Sequence, residues 1–127
     1  MPQSVLIVEE DEGLRQLYLR VFAGSGLEIV VADSAKAGLN IIAKQFVDLV
    51  MVDLGMAGMN GIAFCQQLRQ TKDKGHIKLV LMSGGGHGDT EKLKDLRLSA
   101  FADRPMEAKQ LLLLVQSILA APELEEA

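Results

Sequence analysis

Carboxylates recur in this chain at the ends of apolar runs. Val5 to Val8 leads straight into Glu9, Glu10, Asp11 and Glu12, and Leu49 to Val52 ends in Asp53. Ile77 to Met82 ends in Ser83, and Ala100 to Ala102 is followed closely by Arg104. If those runs lie side by side, Glu9, Glu10 and Asp53 converge, and three carboxylates in one crevice repel one another unless a cation sits among them. Oxygen ligands of this kind suit Mg²⁺ or Mn²⁺, which keeps waters and shares its other positions between protein carboxylates and a phosphoryl group. A Ser83 hydroxyl and an Arg104 guanidinium opposite would complete an anion pocket, one as a donor and the other as a forked fixed charge. Asp53 is then the nucleophile, able to carry a phosphoryl group as an acyl phosphate. Positioning and charge neutralisation would do most of the work.

The elements that must position these groups can be read in order. Val5–Val8, Glu28–Ala32, Leu49–Val52, Ile77–Met82 and Ala100–Ala102 read as strands; all-apolar runs bounded by turn residues indicate burial on both faces. Leu14, Leu17, Tyr18, Val21 and Phe22 recur at the spacing of one helix face, which Gly24 and Gly26 terminate. Ser34 is placed to cap a helix through Ala43. Asn60-Gly61 opens a third helix, with Ile62, Cys65 and Leu68 inward and Gln66, Gln67, Arg69 and Gln70 toward water. Asp89 is placed to cap a charged fourth helix through Leu98, and a fifth runs from about Glu107 to Ala120. Alternation of strand and helix predicts right-handed crossovers and a single doubly wound α/β domain. Its five-stranded parallel sheet takes the order 2-1-3-4-5, with helices on both faces, as in flavodoxin-like folds. In that order strands 1 and 3 are neighbours, which brings Glu9 and Glu10 to Asp53.

Composition narrows the function classes. With 127 residues and 49% hydrophobic residues, the chain suits one domain with a sizeable core. The net charge of −4 argues against direct nucleic-acid binding, which calls for clustered Lys and Arg. A lone cysteine, Cys65, excludes an intramolecular disulfide and a thiolate cage, and suits a reducing cytoplasm. The longest aliphatic run, Leu111 to Val115, is far too short for membrane insertion, and the first residues lack a signal-peptide pattern.

In sum these residues resemble the receiver domain of two-component response regulators over residues 4 to about 120. Glu9-Glu10 after VLIV is similar to the family's acidic pair on strand 1, and Arg15 matches an arginine often found one turn into the first helix. DLGMAGMNG, Asp53 to Gly61, is similar to the phosphoacceptor loop. Leu81-Met82-Ser83-Gly84 resembles the strand carrying the switch hydroxyl. Phe101 falls where the family has its rotating aromatic, and Arg104-Pro105 where it has Lys-Pro.

The resemblance implies a receiver domain over 1–121, with 122–127 an acidic tail or the start of a linker. It implies that Asp53 takes a phosphoryl group from a histidine kinase or phosphotransfer protein, and that the domain takes part in its own phosphotransfer and dephosphorylation without being a conventional enzyme. Glu10 would ligate Mg²⁺ directly, Glu9 through water, Asp53 through its carboxylate and Gly55 through its main-chain carbonyl. Ser83 would move toward the phosphoryl group, Arg104 would bind it, and Phe101 would rotate. The fourth helix, fifth strand and fifth helix would then change their surface for a downstream protein or effector domain. Three departures stand out. Glu replaces Asp at both strand-1 positions, lengthening each ligand by a methylene. Ala57 stands where proline is usual, and Arg104 replaces Lys, whose compact ammonium is a different ligand.

Those departures motivate an alternative, a phosphorylation-independent interaction module of the same fold. A Mg²⁺-dependent aspartyl-phosphate phosphatase is a third reading, weakened because the residue two beyond Asp53 is Gly55 rather than a second carboxylate. A flavin carrier is disfavoured, since acids after strand 1 repel a phosphate. Cys65 reads as a small core hydrophobe, His76 and His87 as surface residues, and Gly84 to Gly86 as a flexible stretch without a phosphate-loop pattern. The final helix is apolar over more than one face, so Leu112 and Leu119 are candidates for contact with a partner or a homodimer mate.

Overall fold

The structure is a computed structural model that describes residues 2–84, 90–103 and 106–121. Its elements are β1 (Ser4–Val8), α1 (Glu12–Phe22), β2 (Glu28–Ala32), α2 (Ala35–Lys44), β3 (Leu49–Asp53) and α3 (Gly61–Gln70). They continue with β4 (Lys78–Ser83), a 3₁₀ helix (Thr90–Leu96), β5 (Ala100–Asp103) and α4 (Ala108–Ala120). The strands form one parallel sheet in the order β2-β1-β3-β4-β5, the order the sequence predicts.

Alternation along the strands divides the core in two. Leu6, Val8, Val50, Val52, Leu79 and Leu81 face α2, α3 and the 3₁₀ helix. Val5, Ile7, Leu49, Met51, Val80 and Met82 face α1 and α4. Because both faces are covered, the strands β1, β3 and β4 are buried throughout, which is why they read as continuous apolar runs. No described helix is long and apolar enough to cross a membrane.

Side-chain caps start three helices. Ser34 Oγ accepts from Ala37 N at 3.1 Å, as its place in the sequence suggests. Asp11 Oδ1 accepts from Leu14 N and Asn60 Oδ1 from Ala63 N, both at 2.9 Å. Such caps contribute about 1 kcal/mol each. Asp89, expected to cap the fourth helix, lies outside the described residues, and the described part of that segment is a 3₁₀ helix ending at Leu96.

Three expectations about facing are corrected. Leu17 is 42% exposed, because the inward stripe of α1 is centred on Tyr18 and Phe22 and Leu17 precedes Tyr18 by about 100° of helix rotation. On α4 the inward stripe is Leu111, Val115 and Leu119, so Leu119 is buried and Leu113, 54% exposed, is the apolar residue that faces out. Phe64, to which the sequence assigns no side, is fully buried beside Cys65. Arg69 is not a solvated residue: its Nε donates to Leu96 O at 2.7 Å and its Nη1 to Ile77 O at 2.8 Å.

The sheet's other end is closed by polar contacts. Lys78 is buried, with Nζ donating to Ile118 O at 2.6 Å and Ala121 O at 2.9 Å, and so caps the last turn of α4. Gln3 Nε2 adds a bond to Leu119 O. Phe46, an exposed aromatic, stacks on His76 with ring centroids 4.7 Å apart.

Candidate functional site

Register brings the first two acids together. β1 and β3 pair with Val8 opposite Val52, so the next residues, Glu9 just past β1 and Asp53 at the end of β3, come side by side. Both are buried, at 2% and 8% exposure, and both line one narrow crevice with Tyr18 of α1 and Met82 of β4. They share the α1 side of the sheet with Ile7 and Met51, two residues earlier on each strand. The carboxylate oxygens of Glu9 and Asp53 are donors of the kind that a hard divalent cation accepts.

The loops around them are tied down. Arg15 Nη1 donates to both Glu9 O and Glu10 O at 2.7 Å, fixing the turn from β1 into α1. Glu9 Oε2 accepts from Asp11 N at 3.1 Å. Glu10 departs from the convergence read in the sequence: it is exposed, and its Oε1 accepts from Ala57 N at 2.9 Å. Its carboxylate therefore bridges β1 to the loop after β3 rather than entering the crevice. Asp53 Oδ1 accepts from Gly55 N at 3.3 Å, and Leu54 N continues the ladder to Met82 O at 2.8 Å.

Ser83 is 1% exposed at the end of β4, opposite Asp103 of β5. Strand alternation places it on the face of Leu81, toward α3. Phe101, which pairs with Leu81, is half-buried against the cluster on that same face. Arg104 and Pro105 lie outside the described residues.

A hard divalent cation fits part of what is present. Glu9 and Asp53 offer carboxylate oxygens and Gly55, an exposed residue, a main-chain carbonyl, which together make an all-oxygen donor set. Among the described residues no three His, Cys, Asp or Glu side chains form a ready-made cage. Sequence reasoning missed Tyr18 as a wall of the crevice, since its spacing on α1 signals only an inward face. Cys65 is fully buried, and desolvation pushes its thiol up to about 12, which makes it inert as expected.

Residues 5–116 match the family model described as the response regulator receiver domain. The response regulator protein FleR of Pseudomonas aeruginosa is 32% identical over 118 residues, covering 91% of this chain and 24% of that protein. The DNA-binding response regulator MtrA of Mycolicibacterium smegmatis is 31% identical over 131 residues, covering 100% of this chain and 55% of that protein. This chain thus spans a quarter to about half the length of these curated relatives. Among solved structures, a CheY-like receiver domain protein from Methanospirillum hungatei superposes with a TM-score of 0.86 at 19% identity, covering 94% of each chain. The chemotaxis protein CheY4 of Vibrio cholerae superposes with a TM-score of 0.85 at 18% identity, covering 93% of this chain and 99% of the other. At those identities the superpositions speak for the fold.

Proposed function

The chain belongs to the response regulator receiver domain family of two-component signalling, and from that premise we propose that Asp53 is its phosphoacceptor. The observation that carries the reading is the burial of Glu9 and Asp53 side by side at the ends of adjacent strands. Asp53 attacks the phosphorus of a phosphohistidine on a histidine kinase or phosphotransfer protein. The histidine N–P bond breaks as the aspartyl O–P bond forms, and the imidazole leaves with the bonding electron pair. A Mg²⁺ or Mn²⁺ ion would neutralise charge on the transferring group. Glu9, Asp53 and the Gly55 carbonyl would hold it, with Glu10 joining on release from Ala57 N.

Arg104, following β5, binds the phosphoryl oxygens in place of the usual lysine. Ser83 donates its hydroxyl to the phosphoryl group, and Phe101, on the same face of the sheet, repacks behind it. The population then shifts between two packings of the surface formed by the 3₁₀ helix, β5 and α4. A downstream protein or effector domain, or a second copy meeting α4 through Leu113, reads that surface. A cytoplasmic setting supplies the phosphodonor.

One observation favours a second reading. The Glu10 carboxylate accepts from Ala57 N and so ties β1 to the loop after β3, a contact that a phosphorylation-independent docking module would also use. Incubation with a small phosphodonor and Mg²⁺, followed by intact mass, separates the two. A single phosphoryl adduct that is absent in Asp53→Ala supports the acceptor. No adduct on the unaltered chain at saturating donor and metal supports the docking module, and steady phosphate release from many monoesters supports a phosphatase.

A further inference from the structure

A phosphoryl switch of the kind proposed above, on which the following rests, needs one part of its output surface to move and another to stay fixed. Arg69, in the last turn of α3, sits at the part that stays. Its Nε donates to Leu96 O at 2.7 Å and its Nη2 to Arg97 O at 3.2 Å, where the 3₁₀ helix ends. Its Nη1 donates to Ile77 O at 2.8 Å and Gly75 O at 3.3 Å, in the turn that leads into β4. One planar fork therefore joins three segments through four main-chain carbonyls, a geometry that an ammonium cannot reproduce.

Two further observations mark the spot. Arg97 has φ 53°, a left-handed conformation uncommon outside glycine, and such conformations persist where the surroundings over-determine them. Arg69 is also held where its charge is costly: burial first, and the neighbouring Arg97 second, bring its pKa down from 12.5 to about 10. A residue present only for surface charge would avoid both. Next to the clasp, Ser99 N donates to Leu79 O at 2.8 Å and Leu96 is buried, so the start of β5 is fastened to the start of β4. Ser83 lies at the opposite end of β4, about 16 Å away at the usual rise per residue.

We infer that Arg69 is a positioning residue that pins the C-terminal end of the 3₁₀ helix to the start of β4. A displacement begun at Ser83 is thereby confined to the near side of the output surface and becomes a tilt about a fixed end. Without the pin, the same push would slide the whole segment and spread over more conformations.

Amide hydrogen exchange on the full chain tests this, with Arg69→Lys, Ser83→Ala and the double variant. Ser83→Ala alone should alter exchange near Phe101 and leave Arg97 to Ser99 unchanged. In the Arg69→Lys background, which keeps the charge and loses the fork, the Ser83→Ala effect should reach Arg97 to Ser99 as roughly two- to tenfold faster exchange, the range of one lost hydrogen bond. Equal increments at Arg97 to Ser99 in both backgrounds, as additivity requires of a merely structural residue, would overturn the proposal. These arms use no phosphoryl group, so failure of Asp53 to accept one leaves them intact. Should Arg69→Lys not fold, the unaltered chain with Ser83→Ala still decides: exchange at Arg97 to Ser99 changing as much as at Phe101 overturns the anchor.

Discussion

Gly61 stands so close to Asp53 that a Cβ built on it would lie 2.5 Å from the Asp53 carbonyl oxygen and 2.9 Å from Leu54 Cα. Two of those neighbouring atoms are main chain, so the contact cannot be relieved by turning a side chain. Gly61→Ala should therefore lower stability by about 1–3 kcal/mol, as overpacking does, and displace Asp53. Urea unfolding measures the first and phosphodonor labelling the second. Gly55→Ala is the control: nothing lies within 4 Å of a Cβ there, so labelling should be retained, as the proposed main-chain ligation requires.

Tyr18 is the only tyrosine of a chain without tryptophan, and it lines the crevice beside Glu9 and Asp53. Its emission should respond to Mg²⁺ addition and give a saturable titration. In Glu9→Gln the midpoint should rise by about tenfold or more, since even groups that only support a metal's ligands alter affinity by 10- to 100-fold. An unchanged midpoint would remove Glu9 from the cation site.

Cys65 should be silent to thiol reagents in the folded chain at pH 8 to 9, and its labelling should follow global unfolding. Its thiol titrates near 9.0 when unfolded and near 12 when folded. The folded state thus keeps a proton that the unfolded state loses, so this group's contribution is full below pH 9 and fades as pH rises toward 12. Cys65→Ala should flatten that part of the stability profile, measured by urea midpoints across the alkaline range.

Lys78→Met should cost about 1.5–3 kcal/mol, the worth of a hydrogen bond to a charged group, by withdrawing the donor from Ile118 O and Ala121 O. Hydrogen exchange should localise the loss to the last turn of α4. Uniform loosening of the domain instead would mean that Lys78 matters for the sheet and not for the helix end.

The strands and their order were legible because both faces of the sheet are covered, which turns β1, β3 and β4 into uninterrupted apolar runs with a polar residue where each leaves the core. Glu9, Asp53 and Ser83 each stand at such a break. Helix facing was harder. Arg69 reads as a solvated residue from its neighbours Gln66, Gln67 and Gln70, because its partners, the carbonyls of Ile77, Leu96 and Arg97, come from other elements and main-chain acceptors leave no trace in a sequence. Glu10 shows a related effect: its position after β1 suggests convergence on Asp53, while in the structure the backbone amide of Ala57 donates to one of its oxygens. On α4, leucines on nearly every face hide which stripe is inward, and only packing against α1 selects Leu111, Val115 and Leu119.

Strand alternation puts Glu9 and Asp53 on the α1 side of the sheet, and Ser83 with Phe101 on the α3 side. The sheet is in that sense a partition, with Glu9 and Asp53 in one compartment and Ser83 and Phe101 in the other, meeting along its rim. Substitutions such as Met51→Leu and Leu79→Met, matched in volume but on opposite sides, should therefore disturb the packing beneath one pair and spare the other.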